Sequence, residues 1–176
     1  KQASEFTLAA NREIFKSLPF EDERDFEEAS RGFIAPLPEG HVLKPNGDFV
    51  FDPSRLDFAK GREQAPDTVN PSLWRQVRLI AEGGLFKVCD RIYQVRGFDI
   101  SNLTIIEGDS GVIVVDPLIS AETARAALDL YFEHRPERPV VAVIHSHSHV
   151  DHYGGVRGVV DEADVASGKV KVIAPE

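Results

Sequence analysis

Between His147 and His152 the chain places three imidazoles and one carboxylate in six residues: His147, His149, Asp151 and His152. A fourth imidazole, His145, stands just before them. Neutral imidazole nitrogen and carboxylate oxygen both suit zinc, so the chemistry these residue types offer is metal ligation. The tract follows directly on the apolar run 139–144 and precedes the pair Gly154-Gly155. A buried strand that ends in such a tract aims several side chains at one point. A histidine-rich surface loop that meets metal by accident needs neither the strand nor the glycines.

Counting settles the register. The two-metal hydrolase pattern His-x-His-x-Asp-His requires Asp four residues after the first His and His five after. His147 meets both conditions, through Asp151 and His152. His145 does not, because position 149 holds His. His145 is therefore the spare imidazole, expected to orient a metal-bound ring by hydrogen bonding rather than to ligate.

With these residues the tract resembles the metallo-β-lactamase superfamily. The wider wording is similar to its alkylsulfatase branch, the dodecyl-sulfate hydrolases. The segments that carry this are Ser30-Arg-Gly-Phe-Ile-Ala, Asp67-Thr-Val-Asn-Pro-Ser-Leu-Trp-Arg-Gln76, Tyr93-Gln-Val-Arg-Gly97, Gly108-Asp-Ser-Gly111 and Ile113-Val-Val-Asp-Pro117. The resemblance runs from about Phe20 onward, and the segment 67–76 narrows it to the sulfatase branch. The chain departs from it at His145-Ser146, where relatives usually carry Tyr-Thr.

The resemblance implies a two-zinc site. His147 and His149 would hold the first ion, and Asp151 and His152 the second, with Asp151 also essential to catalysis. Asp116 would orient rather than ligate. A metal here lowers the pKa of bound water and neutralises charge on a sulfate ester. Four ligands for two ions are too few, so the remaining ligands and the sulfate-gripping groups are expected outside this chain. On this reading the chain is the first part of a larger enzyme and not a competent catalyst alone. The implied partners are an alkyl sulfate substrate and a second copy of the subunit in a homodimer. The implied location is the periplasm or the exterior, although the chain, which starts at Lys1 and contains no methionine, retains no signal peptide.

Composition bounds the alternatives. A length of 176 residues with 42% apolar content suits a folded domain with a core. A formal charge of −9 argues against nucleic acid as a partner. No stretch reaches the ~18–20 apolar residues that cross a bilayer. The single Cys89 excludes an internal disulfide and reads as a strand thiol.

The elements that must position the tract can be read from periodicity and caps. Residues 4–31 form a charged helical lead-in. Asn46-Gly47 between Val42-Leu43 and Phe49-Val50-Phe51 predicts a hairpin, and the passage 36–66 is expected to run over the surface. Asn70-Pro71 opens a helix that carries Trp74 as a core anchor and closes at Gly83-Gly84. Strands are expected at 85–89, 92–96, 103–107 and 112–116, with the turn 108–111 joining the last two. Ser120 caps a helix to about His134. The continuous Val/Ile run 140–144 predicts a strand buried on both faces, followed by a short helix near Gly155 and a strand at 170–173. By the resemblance this is an α/β (α+β) fold, the first half of an αββα sandwich. Residues 1–66 would form a helical and hairpin extension, and 67–176 the first half of the catalytic domain.

Other residues carry less. His41 reads as a loop residue and His134 as a helix C-terminal group. Ser101-Asn102 either approaches the site from a neighbouring strand or forms a turn. Gly154 and Gly155 let the backbone turn behind the metal loop. Two competing functions stay open: hydrolysis of a lactam or thioester, and a non-catalytic assembly module completed by a second chain.

Overall fold

The computed structural model describes residues 2–176. They form two compact units that alternate along the chain. One runs through Arg31 and resumes at Arg55–Glu82; the other comprises Gly32–Ser54 and Gly83–Glu176. The sequence reading drew one boundary, at 66/67. In the structure Leu37, and Val42 of the following hairpin, pack on the core of the second unit, while the helix after Asn70 packs with the N-terminal helices.

The first unit is helical. Helix α1 (Glu5–Ser17) starts at Ser4, whose hydroxyl accepts from the Thr7 N–H, and it carries Glu5 in its first turn and Lys16 in its last. The helical lead-in breaks at Pro19. Leu18 before it is extended, at φ −121° and ψ 146°, because a residue preceding proline is driven out of the helical region. Helix α2 (Arg24–Ser30) follows. Helix α3 (Pro71–Ile80) begins at Asn70, whose side chain accepts from the Ser72 N–H, with Pro71 in the first turn. Trp74 is 4% exposed and donates its indole N–H to the Arg62 carbonyl at 3.0 Å. Arg75 and Arg78 of α3 both stack on the Phe26 ring of α2.

The second unit is built on a seven-stranded sheet in sequential order. Its strands are β1 (Phe33–Ala35), β4 (Gly84–Cys89), β5 (Ile92–Arg96), β6 (Leu103–Glu107), β7 (Val112–Val115), β8 (Val140–Ile144) and β9 (Lys171–Ile173). Strand β1 was not anticipated; three residues are too few to show a period. Pairing is antiparallel from β1 to β7 and parallel from β7 through β9. The hairpin of β2 (Val42–Leu43) and β3 (Phe49–Phe51) turns at Gly47, with φ +88°. Helix α4 (Ala121–His134), capped by Ser120, returns the chain from β7 to β8. A short helix α5 (Glu162–Ala166) precedes β9.

Alternation along β5, β6 and β7 sends Tyr93, Val95, Leu103, Ile105, Val112 and Val114 to one face. There they meet Ala124, Ala127, Leu128 and Tyr131 of α4. This is the core. The opposite face, with Ile92, Ile106, Ile113 and Val115, is only half-buried. Strand β8 departs from this division: its successive residues Ala142 and Val143, which face opposite ways, are both buried, as the continuous Val/Ile run predicts, while Val140 and Ile144 are half-buried. Because β7 and β8 run parallel in the register Val115↔Ile144, their C-terminal ends lie side by side and deliver Asp116 next to His145. Open parallel sheets present their reacting groups at such ends.

Candidate metal centre

The site grows out of that parallel register. The Asp116 N–H donates to the Ile144 carbonyl at 2.9 Å, and the His145 N–H donates to the Ile173 carbonyl of β9 at 2.8 Å. Past these bonds both chains leave the sheet. Asp116 and Leu118 take left-handed backbone, with φ 55° and 63°, which is uncommon for residues with a Cβ and typical of functional turns. Residues 150–152 and 156–158 form short 3₁₀ turns separated by Gly154-Gly155.

The glycines are required by packing. A Cβ on Gly155 would lie 2.0 Å from the Pro117 carbonyl oxygen and 2.6 Å from that of Ser120. One on Gly154 would lie 2.3 Å from the Ile119 carbonyl oxygen. The Gly155 N–H donates to the Leu118 carbonyl at 2.8 Å. The loop after β8 therefore lies backbone-to-backbone against the loop after β7.

Asp116 is the organising carboxylate. Its Oδ1 accepts the Ser146 N–H at 2.7 Å, and its Oδ2 accepts the Ser146 hydroxyl at 2.6 Å and the His152 Nδ1–H at 2.9 Å. Burial alone raises its pKa. The Ser146 and His152 hydrogen bonds outweigh that and hold the carboxyl below the ordinary aspartate range. Ionised, it accepts only, so its partners must bring the protons. The Ser146 hydroxyl spends its one proton on Asp116 and must accept from His147 Nδ1, 2.9 Å away. One carboxylate thus fixes a proton on Nδ1 of two imidazoles and turns their Nε2 atoms away from it.

The predicted donors are grouped. The His147 ring centroid lies 4.0 Å from that of His152 and 4.7 Å from that of His149. His152 Nε2 stands 3.1 Å from Asp151 Oδ2. A proton on Nε2 and a shared metal ion would each fit this spacing. Zinc bonds of about 2.0–2.1 Å meeting at a tetrahedral angle set their donors about 3.3 Å apart, so the pair has the spacing of two ligands sharing one ion. Among the described residues, no three His, Cys, Asp or Glu side chains are arranged to hold a metal ion. The donor types, imidazole nitrogen and carboxylate oxygen, have the chemistry of part of a zinc site.

His145 is turned away from the other rings: its Nδ1–H donates to the His152 carbonyl at 3.0 Å, and its ring meets Tyr153 edge-on. It fastens the end of the loop to its beginning. Ser101 approaches the site, donating its hydroxyl to the Asp151 carbonyl at 2.6 Å. Asp99, which the sequence reading passed over, accepts the N–H groups of Ile100 and Ser101, and that of Ile119 at 2.7 Å. An Asp two residues before a Ser, just after Gly97, was the available signal. His41 lies on the β2–β3 hairpin against Phe49, and His134 ends α4; neither is brought to the tract. No helix of the described residues is long and apolar enough to cross a membrane.

A seven-stranded mixed sheet that sets a His/Asp loop beside a strand-terminal aspartate matches a known domain class. Residues 96–176 match the metallo-beta-lactamase superfamily model. Over 99% of its length the chain is 61% identical to a linear primary-alkylsulfatase of Pseudomonas sp. and 52% identical to the alkyl/aryl-sulfatase BDS1 of Saccharomyces cerevisiae. The solved structure of the stereoselective inverting sec-alkylsulfatase Pisa1 from Pseudomonas sp. superposes with a TM-score of 0.90 at 56% identity, over 98% of this chain and 27% of that one. The chain spans about a quarter of the length of these relatives: 26% of the primary-alkylsulfatase and 27% of BDS1.

Proposed function

We propose that the protein to which this chain belongs hydrolyses alkyl sulfate esters with the help of zinc. Water adds to the ester, and the products are the alcohol and hydrogen sulfate. The observation that supports the reading is the Asp116 network, which holds His152 directly and His147 through Ser146, while Asp151 faces His152 at 3.1 Å. The names of the relatives supply the substrate class.

His147 and His149 would hold one zinc, and Asp151 and His152 another, with further ligands from outside the chain. Bound zinc would supply charge neutralisation and water activation near neutral pH. The protein's own part is orientation. Asp116 holds the protons on Nδ1 of His152 and, through Ser146, of His147. His145 clamps the loop by its bond to the His152 carbonyl. Gly154 and Gly155 keep the loop tight against 117–120. The same reading includes two zinc ions per subunit, a homodimer and an exported location, testable by elemental analysis, sedimentation and cell fractionation.

The deciding experiment compares inorganic sulfate release from dodecyl sulfate with hydrolysis of nitrocefin and of a thioester by the whole protein. Sulfate release is expected to dominate, to stop with chelator, and to be abolished in Asp151→Ala. Faster turnover of either alternative would sink the sulfatase assignment and leave the metal site standing.

A further inference from the structure

We infer that Asp99 is a positioning residue for the metal loop, holding it from both sides through Ser101 and Ile119. The inference rests on the reading of residues 147–152 as a metal loop. Asp99 is 5% exposed and lies in the segment between β5 and β6, outside the His/Asp tract.

Its two oxygens serve two different loops. Oδ1 accepts from Ile100 N–H and from Ser101 N–H at 3.0 Å, which curls the segment so that the Ser101 side chain faces the metal loop. Ser101, 7% exposed, donates to the Asp151 carbonyl across 50 residues of sequence. Oδ2 accepts from the Ile119 N–H at 2.7 Å, across 20 residues. Ile119 belongs to the loop on which the metal loop rests, since Leu118 accepts from Gly155 N–H and the Ile119 carbonyl crowds Gly154. One buried carboxylate therefore sets both the wall that grips Asp151 from its backbone and the wall that supports the glycine pair. A buried carboxylate that accepts several backbone N–H groups over-determines its surroundings, because its own desolvation is offset only while those bonds hold. The left-handed Leu118 needs such over-determination to persist.

The two walls give separable predictions. In the metal-free whole protein, Ser101→Ala is expected to speed amide hydrogen exchange at His152, Tyr153 and Gly154 roughly tenfold, the effect of losing one hydrogen bond of ordinary net strength. Gly155, whose N–H is bound to Leu118, should be spared. Asp99→Asn is expected to add Gly155 and Ile119 to the set. In both variants the amides of β5–β8 should keep their wild-type rates, and Ser101→Thr should restore the loop. Unchanged exchange at 152–155 would overturn the inference. So would a uniform increase across the sheet, which marks general destabilisation instead. Zinc affinity by chelator competition is the second readout, expected to fall about 10-fold or more in Ser101→Ala. A wild-type protein that binds no zinc refutes the metal reading, while the exchange pattern still decides the brace.

Discussion

At the scale of single residues, the site depends on who brings each proton. Asp116 is held ionised by Ser146 and His152, and it fixes a proton on Nδ1 of His152 and, through Ser146, of His147. His145 shares the tract but uses its Nδ1–H on a backbone carbonyl. This predicts a ranking of metal content by elemental analysis. His147→Ala should lose an ion, and His145→Ala should keep most of the metal; the reverse order would show the register to be wrong. Gly155→Ala should be worse than an average surface change. Its methyl would enter the space of two carbonyl oxygens at 2.0 and 2.6 Å, so the loop must move as a body. Overpacking of this kind costs about 1–3 kcal/mol. Its mark would be lost zinc affinity together with a lowered melting temperature.

At the scale of elements, the metal loop is only as fixed as the sheet and helix behind it. Helix α4 is tied to β6 by a polar contact as well as by its apolar stripe. Glu107 accepts from the Tyr131 hydroxyl at 2.7 Å and from Arg135 at 2.9 and 3.2 Å. Arg135 is the main cause that lowers the Glu107 pKa, against a smaller rise from burial, while burial and the nearby carboxylate push Tyr131 up. A carboxyl whose folded pKa lies below its unfolded value stabilises the fold above the unfolded pKa, and that stability is lost as pH falls through the folded one. Glu107→Gln is thus expected to cost about 1–3 kcal/mol at pH 7. Denaturant melts at a series of pH values should show the gap to wild type closing below about pH 4. A gap independent of pH would place the cost in packing. Leu128→Ala, in the middle of the apolar stripe, should cost about 2–5 kcal/mol at every pH.

At the scale of the whole molecule, the sheet has one face covered by α4 and one half-bare. Strand β9 forms an edge, with Val172 and Ile173 43% and 49% exposed. An apolar edge of this kind is a template for pairing with another chain. The 176-residue chain expressed by itself is therefore expected to self-associate, as sedimentation velocity would show. A monomer that melts cooperatively with a full zinc complement would contradict this. For the whole protein, the alkyl tail of the proposed substrate offers about 25 cal/mol per Å² of buried apolar area. Sulfate release should accordingly fall steeply as the chain is shortened from dodecyl, and a flat profile would count against recognition of the tail.

The sequence by itself determined what is periodic or local. Alternation located β5, β6 and β7 because side chains on successive residues face opposite ways. Ser120 and Asn70 announced α4 and α3 because their side chains satisfy helix-start N–H groups within three residues. The register of the tract followed from counting, since donors of one loop sit at set intervals. Strand β1 and the two-unit division were not legible, being too short or dependent on packing. The tertiary structure decided how the donors are held. The bonds from Asp116 to Ser146 and His152 span 30 and 36 residues, and that from Ser101 to Asp151 spans 50. Such bonds exist because β7 and β8 pair in parallel at Val115↔Ile144 and bring two loop starts to one edge. No local pattern encodes that register; it is set by which apolar faces share the core beneath α4.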